Sequence, residues 1–234
     1  MPNSYFSFKK FTVHHDLCAM KVGTDGVLLG AWANVSASKN ILDIGTGSGL
    51  IALMLAQRCE ASIIGIDIDK NAVIQSQINF DASPWGERMQ AIHSDLCDFQ
   101  PPCLFDTIVS NPPFFMDSLK CPDSQRSKAR HNDTLPLSLL MGKASKLLHP
   151  NGQFSLILPS DLDETVIQEA KEYGLYPTRH TRVITRPGLP PKRSLFEFRK
   201  EASAYIPQEL TIELERHVYS EGYIALTKDF YLKM

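Results

Sequence analysis

The sequence predicts an α/β protein built on a doubly wound, mostly parallel sheet. Three observations carry that expectation. Short apolar runs of strand length alternate with helix-period segments from Asn40 to Gly174. A glycine cluster, Gly45, Gly47 and Gly49, separates the first apolar run from the first such helix. After Gly174 the alternation stops and two strand-like runs follow each other directly.

The elements follow in order. Ile41-Leu42-Asp43-Ile44 is a strand, and Leu50, Ile51, Leu53, Met54, Leu55 and Ala56 give the next helix a broad apolar face. SIIGID at 62–67 is a buried strand, 70–80 a helix, and 89–93 and FDTIVS at 105–110 two further strands. A helix is expected over 134–148, capped by Thr134 and stopped by Pro150-Asn151-Gly152, then a strand over 153–158. A helix over 161–173 ends at Gly174. Strands over 178–185 and 194–200, joined by RPGLPPKR, predict an antiparallel hairpin closing the sheet edge. Residues 1–39 are too few for a core of their own and are expected to be an N-terminal extension covering the active site, with the domain proper spanning 40–234.

Composition narrows the class. A net charge of −2 gives no global attraction to nucleic acid or membrane, so a nucleic-acid partner requires local basic patches. Five cysteines, an odd number without a CxxC pair, argue against a disulfide framework or a zinc ribbon. His14-His15 has no companion ligands at metal spacing, and no metal is expected. Neither a signal peptide nor an apolar run of about 18 residues is present, which predicts a soluble cytoplasmic protein. The oligomeric state is not encoded visibly, and a monomer is the default.

A strand, glycine turn and helix in succession bring backbone N–H groups to whatever lies at the strand end. Asp67 ends the next strand 22 residues after Gly45, a spacing at which a carboxylate accepts from a ribose diol. Together they predict an adenosine-type cofactor. The spacing is GxGxG rather than the GxGxxG of NAD-binding turns, and Asp43 stands two residues ahead of it. A buried acid there suits a cationic amine and sulfonium and repels a pyrophosphate. DIGTGSG resembles the first motif of class I methyltransferases. That resemblance implies S-adenosylmethionine, bound by Asp43, Gly45, Thr46, Gly47, Gly49, Ile68 and Leu96, with Asp67 at its ribose and Asp95 at its adenine. Lys21 and Thr24 are expected to border the cofactor; helix capping by Thr24 or Asp25 is the competing role.

Asn111-Pro112-Pro113-Phe114 follows FDTIVS. An aromatic amine is a poor nucleophile because its lone pair is delocalised into the ring. The Asn111 side-chain carbonyl and the Pro112 carbonyl can each accept one amine N–H and so localise that pair, while the prolines stiffen the backbone. Phe114 offers a face for base stacking, worth about 1–3 kcal/mol. The pattern resembles that of amino-methyltransferases acting on adenine N6, guanine N2 or a glutamine amide, and the tetrapeptide leaves these three open. Release-factor glutamine enzymes carry NPPY and a helical domain ahead of the glycine motif; guanine N2 enzymes share NPPF, but many add a duplicated domain missing here.

FTVHH at 11–15, MKVGTDGVLLG at 20–30, NPPF and LTKDFYL at 226–232 together resemble the bacterial tRNA(Val) adenine N6-methyltransferase family over nearly the whole chain. The resemblance implies methylation of adenosine 37, beside the anticodon, and a Rossmann-like sheet of about seven strands with the last antiparallel. Arg126, Lys128 and Arg130, with His131, follow NPPF; Arg179, Arg182, Arg186, Lys192 and Arg193 cluster near the final hairpin. Both groups are candidate RNA contacts through phosphate attraction. The rival from another class is a catalytically silent RNA-binding protein that keeps the fold; the intact Asn111 and glycine turn argue against it.

Overall fold

The computed structural model describes residues 3–18, 20–113 and 135–233. An antiparallel ribbon of β1 (Tyr5–Ser7) and β2 (Thr12–His14) precedes α1 (Thr24–Trp32). Then come β3 (Asn40–Ile44), α2 (Leu50–Ala56), β4 (Ser62–Asp67), α3 (Lys70–Asp81), β5 (Met89–His93) and β6 (Phe105–Ser110). After the undescribed 114–134 follow α4 (Leu137–Leu147), β7 (Leu148–Pro159), α5 (Asp163–Glu172), β8 (Tyr176–Ile184) and β9 (Arg193–Arg199). The remainder is β10 (Gln208–Thr211), β11 (Glu213–Glu215), β12 (Val218–Tyr219) and α6 (Glu221–Thr227).

Alternation along the strands explains why helices cover both faces of the sheet. Ile41, Ile63, Val109, Ile157 and Leu195 pack with α1, α2, Phe80 of α3 and Tyr223 of α6. Their neighbours Leu42, Ile44, Ile66, Ile108, Leu156 and Phe196 point the opposite way, against Leu140, Met141 and Ala144 of α4 and Val166 and Ala170 of α5. A strand with both parities buried has no solvent face, the condition for a central strand of a doubly wound sheet.

The main sheet has eight strands in the order β10-β8-β9-β7-β6-β3-β4-β5. Strands β3 to β7 run parallel, and β9 is antiparallel to both of its neighbours, β7 and β8. The expected α/β class and the antiparallel late strand are present. The placement of the hairpin differs. Rather than closing the edge, β9 is inserted between β7 and β8, and β10 pairs parallel with β8 as an eighth, outermost strand. The reason lies in side chains: Leu195, Phe196 and Phe198 of β9 are wholly buried, whereas Gln208 and Glu209 of β10 are exposed and suit an edge.

Two boundaries also differ. The α4 helix begins after Pro136, and Thr134, the expected cap, lies outside the described residues. Strand β7 starts at Leu148, and a register shift against Phe105 and Thr107 takes up the expected Pro150-Asn151-Gly152 stop. A 3-10 turn, Ser160–Leu162, precedes α5, and Gly174, at φ +69, ends the helical segment as expected.

The first 39 residues share the core with the rest. Phe8, Phe11 and Val13 are buried with α1 and α2, and Phe8 stacks on Phe11 and Tyr231 with centroids at 4.7 and 5.9 Å. The backbone N–H of Lys9 donates to the carbonyl of Phe230 at 2.8 Å. Among the described residues no helix is long and apolar enough to cross a membrane.

Candidate active site

One part of the candidate site begins where β3 ends. Gly45, Gly47 and Gly49 have φ of +73, +55 and +80. A Cβ built on Gly45 or Gly47 would meet nothing within 4 Å, so packing does not demand glycine there. Backbone conformation does, and the open space at Gly45 and Gly47 lets a ligand approach the turn closely. Gly45 and Thr46 donate their N–H groups to the Ile66 carbonyl at 2.9 and 3.0 Å, which ties the turn to β4. Gly47 N–H donates to Asp67 Oδ2 at 2.9 Å, while Asp67 Oδ1 accepts from Asp69 N–H at 2.9 Å.

Asp43 lies beneath this turn and is fully buried. Its Oδ2 accepts from the Thr46 hydroxyl at 2.9 Å, and its Oδ1 has no hydrogen-bond partner. Burial pushes its carboxyl up to about 7; hydrogen bonding from the Thr46 hydroxyl and the Ala52 backbone N–H opposes the rise, and Asp67 adds to it. A buried carboxyl with an unused oxygen is costly unless something cationic completes it, so the residues present fit a positively charged ligand. Along the same edge, Ser94 N–H donates to the Asp67 carbonyl at 3.0 Å. Ile68 is 64% exposed and offers an apolar face. Asp95 is exposed, its Oδ1 accepting from Cys97 N–H at 2.7 Å. The Leu96 side chain is committed to the core, packed among Leu42, Ile44 and Ile66, which leaves its main chain as what it can offer a cofactor.

A second part of the candidate site begins where β6 ends. Ile44 and Ser110 are register partners in β3 and β6, and the Ser110 hydroxyl donates to the Ile44 carbonyl at 2.9 Å. Asn111, Pro112 and Pro113 therefore leave the sheet beside the glycine turn. They line a cavity of about 510 Å³ together with Met20, Asp25, residues 157–161 and residues 191–193. Phe114 lies outside the described residues, as do Arg126, Lys128, Arg130 and His131.

Other expectations fall differently. Gly23 occupies the N-cap of α1 without a side-chain bond, so neither Thr24 nor Asp25 caps it. Thr24 and Lys21 are exposed. Asp25 instead lines the cavity and accepts from Arg193 Nε at 2.7 Å. The late arginine cluster is not the uncompensated patch its sequence suggests. Arg182 pairs with Asp163 at 3.3 Å and Arg186 with Glu213 at 3.2 Å. Arg179 lies 3.5 Å above the Trp32 ring and 3.9 Å from Glu197. Strand pairing supplies these acids from segments far along the chain, which the local sequence does not reveal.

Sequence reasoning missed Asn79. It is 1% exposed and makes three bonds: Oδ1 accepts from His14 N–H at 3.0 Å, and Nδ2 donates to the His14 and Ser48 carbonyls, each at 2.8 Å. It thus ties the β2 ribbon to the glycine turn. The available signal was periodicity: Ala72, Gln75, Ser76, Asn79 and Phe80 form the buried face of α3, and three of them are polar.

Glycine turn, acidic strand ends and a post-strand Asn-Pro pair on this sheet define a class of protein, and similarity to known proteins agrees. The model of the methyltransferase small domain family matches residues 20–172, and the chain belongs to that family. Among its relatives, a protein of Phocaeicola vulgatus named tRNA1(Val) (adenine(37)-N6)-methyltransferase is 58% identical over 234 residues, covering 100% of both chains. A protein of Bacteroides fragilis with the same name is 52% identical, again over 100% of both. Among solved structures, a predicted O-methyltransferase from Agrobacterium tumefaciens superposes with a TM-score of 0.65 at 18% identity, covering 88% of this chain and 96% of that one. At that identity the likeness speaks for the fold alone.

Proposed function

We propose that this chain transfers a methyl group from S-adenosylmethionine to N6 of adenosine 37 in tRNA1(Val). The observation that carries the reading is the pairing of Ile44 with Ser110, which sets the Asn111-Pro112 carbonyls beside the glycine turn. The full-length relatives named for this reaction support the choice among amine substrates.

S-adenosylmethionine, when bound, supplies an electrophilic methyl on a sulfonium. Asp43 answers the positive charge of the donor, Gly45 and Gly47 leave it room to approach the turn, Asp67 holds the ribose, and Ile68 with Asp95 borders the adenine. Lys21 and Thr24 border the same crevice. Asn111 Oδ1 and the Pro112 carbonyl each accept one N–H of the target amine. Such a pair localises the nitrogen lone pair and aims it in line. No strong base is required, since the cationic product sheds its proton readily to water. Pro113 stiffens the turn, and Phe114 is assigned the stacking face by its place in the tetrapeptide. Residues 1–39 act as an extension that covers the site of the 40–234 domain. The enzyme works in the cytoplasm, as a monomer and without a metal.

The test is incubation of tRNA1(Val) transcript with the methyl donor, followed by mass spectrometry of its nucleosides. N6-methyladenosine at position 37 is expected. Methylation of guanine N2 in ribosomal RNA, or of a glutamine in a protein, with none on the tRNA, overturns the reading. Absence of donor binding by calorimetry favours a silent RNA-binding protein.

A further inference from the structure

The cavity beside Asn111 carries charge that methyl transfer itself does not use. Its apolar floor, Ile157, Leu158 and Pro159, suits a flat base, but Lys192 and Arg193 stand on its wall. Arg193 is pinned from two sides, its Nε to Asp25 Oδ2 at 2.7 Å and its Nη1 to the Lys192 carbonyl at 3.0 Å. Asp25 offsets its charge and leaves other N–H groups of the guanidinium available. Lys192 is different. Its backbone is fixed, with its N–H donating to the Val183 carbonyl at 2.9 Å and its carbonyl accepting from Ser160 N–H at 3.3 Å. Its side chain is exposed, and among the described residues it makes no ion pair. Arg179, Arg182 and Arg186 nearby all have acidic partners. Among the described residues, Lys192 is the cation of the late cluster at the cavity without an ion pair; Asp161 and Asp25 also line that cavity.

We propose that Lys192 and Arg193 form the subsite for the backbone phosphate of the target nucleotide, with Asp25 as the positioning residue that aims Arg193. This rests on the cavity being the target-base pocket. A base drawn into the pocket brings its own phosphate to the wall. Lys192 supplies an unpaired, exposed ammonium there, opposite in sign to Asp161 on the same lining, and the fixed Arg193 supplies directed donors. Such contacts set register on the RNA and leave sequence choice to the base pocket. Asp25, on the N-terminal segment, thereby couples that segment to substrate placement.

The experiment measures initial rates on tRNA1(Val) transcript between about 50 and 200 mM salt. Lys192→Ala is expected to raise KM about tenfold with kcat little changed. It also flattens the slope of log(kcat/KM) against log[salt] by about one. Lys192→Arg restores both. Asp25→Asn removes an acid, which by field alone would favour RNA and lower KM; a higher KM is expected because Arg193 loses its anchor. Donor affinity by calorimetry and melting temperature stay at wild-type values in the Lys192 variants, which keeps a folding defect separate. If Lys192→Ala shows the wild-type KM and salt slope while the wild-type enzyme methylates adenosine 37, the subsite is wrong and the functional reading stands. A lower KM in Asp25→Asn removes the positioning role. If the wild-type protein methylates no adenosine, the reading and the subsite fall together.

Discussion

The donor crevice and the acceptor cavity are built by different means. Most of the crevice comes from short stretches: residues 43–49 form a turn, with Asp67 and Ile68 one strand away and Asp95 two away. Apart from the Asn79 bond to Ser48, its bonds named above run between neighbours in sequence or adjacent parallel strands, as in Thr46 to Asp43 and Gly47 to Asp67. The cavity gathers Met20 and Asp25, residues 111–113, 157–161 and 191–193, four stretches spread over most of the chain. One of its polar ties, Asp25 to Arg193, spans 168 positions. A ligand site assembled locally keeps its geometry whenever the βαβ unit forms. One assembled from distant pieces can change its walls while the donor side stays fixed.

That contrast can be broken in several places. The largest effect is expected from Asn111→Ala, which lowers kcat by about 100-fold or more, a loss of the size seen when one preorganised polar contact leaves a reaction centre. Calorimetry should find donor affinity unchanged; a comparable loss of donor binding would mean the two halves are not separable at this residue. Asn79→Ala attacks the other half from beneath. It strands the His14 and Ser48 groups and is expected to cost about 2 kcal/mol in urea unfolding, with weaker donor binding. Retained stability would show that the ribbon needs no such strut.

Next comes pH. The Asp43 carboxyl is raised from 3.8 to about 7 by burial. In the free protein its contribution to stability is present below its unfolded value and lost as pH rises through about 7. A cation bound against it favours the charged form, so below that value binding must expel a proton. Donor affinity is expected to weaken about tenfold per pH unit on the acid side and to level off above it. Asp43→Asn should bind more weakly throughout and show no such step; an identical step in that variant would assign the proton elsewhere. The smallest effect is expected from Arg186→Ala. Its pair with Glu213 is half exposed, so melting should move by less than about 0.5 kcal/mol, and tRNA KM should change far less than in Lys192→Ala.

The same contrast decides what could be read in advance. Strands 62–67, 89–93 and 105–110 have the expected limits because their apolar runs stop at turn residues. The placement of DIGTGSG, Asp67 and Asn111 at strand ends is legible because each follows or ends a short apolar run. The interior position of β9 was hidden: LFEF reads equally well as an edge or a central strand until its partners are known. β10 carries little apolar pattern, and β1, β2 and α1 depend on packing against α2 and α3. The pairing of Arg182, Arg186 and Arg193 with Asp163, Glu213 and Asp25 escaped for the same reason. Charge complementarity between distant segments leaves no local trace.

Phe230 and Lys9 join one end region of the chain to the other, and the ribbon that starts there runs on to His14, Asn79 and the Ser48 carbonyl. A mechanical linkage thus reaches the donor-binding turn without passing through the sheet. Loosening the tail around Phe230 and Tyr231 would be felt at the far side as slack in the glycine turn.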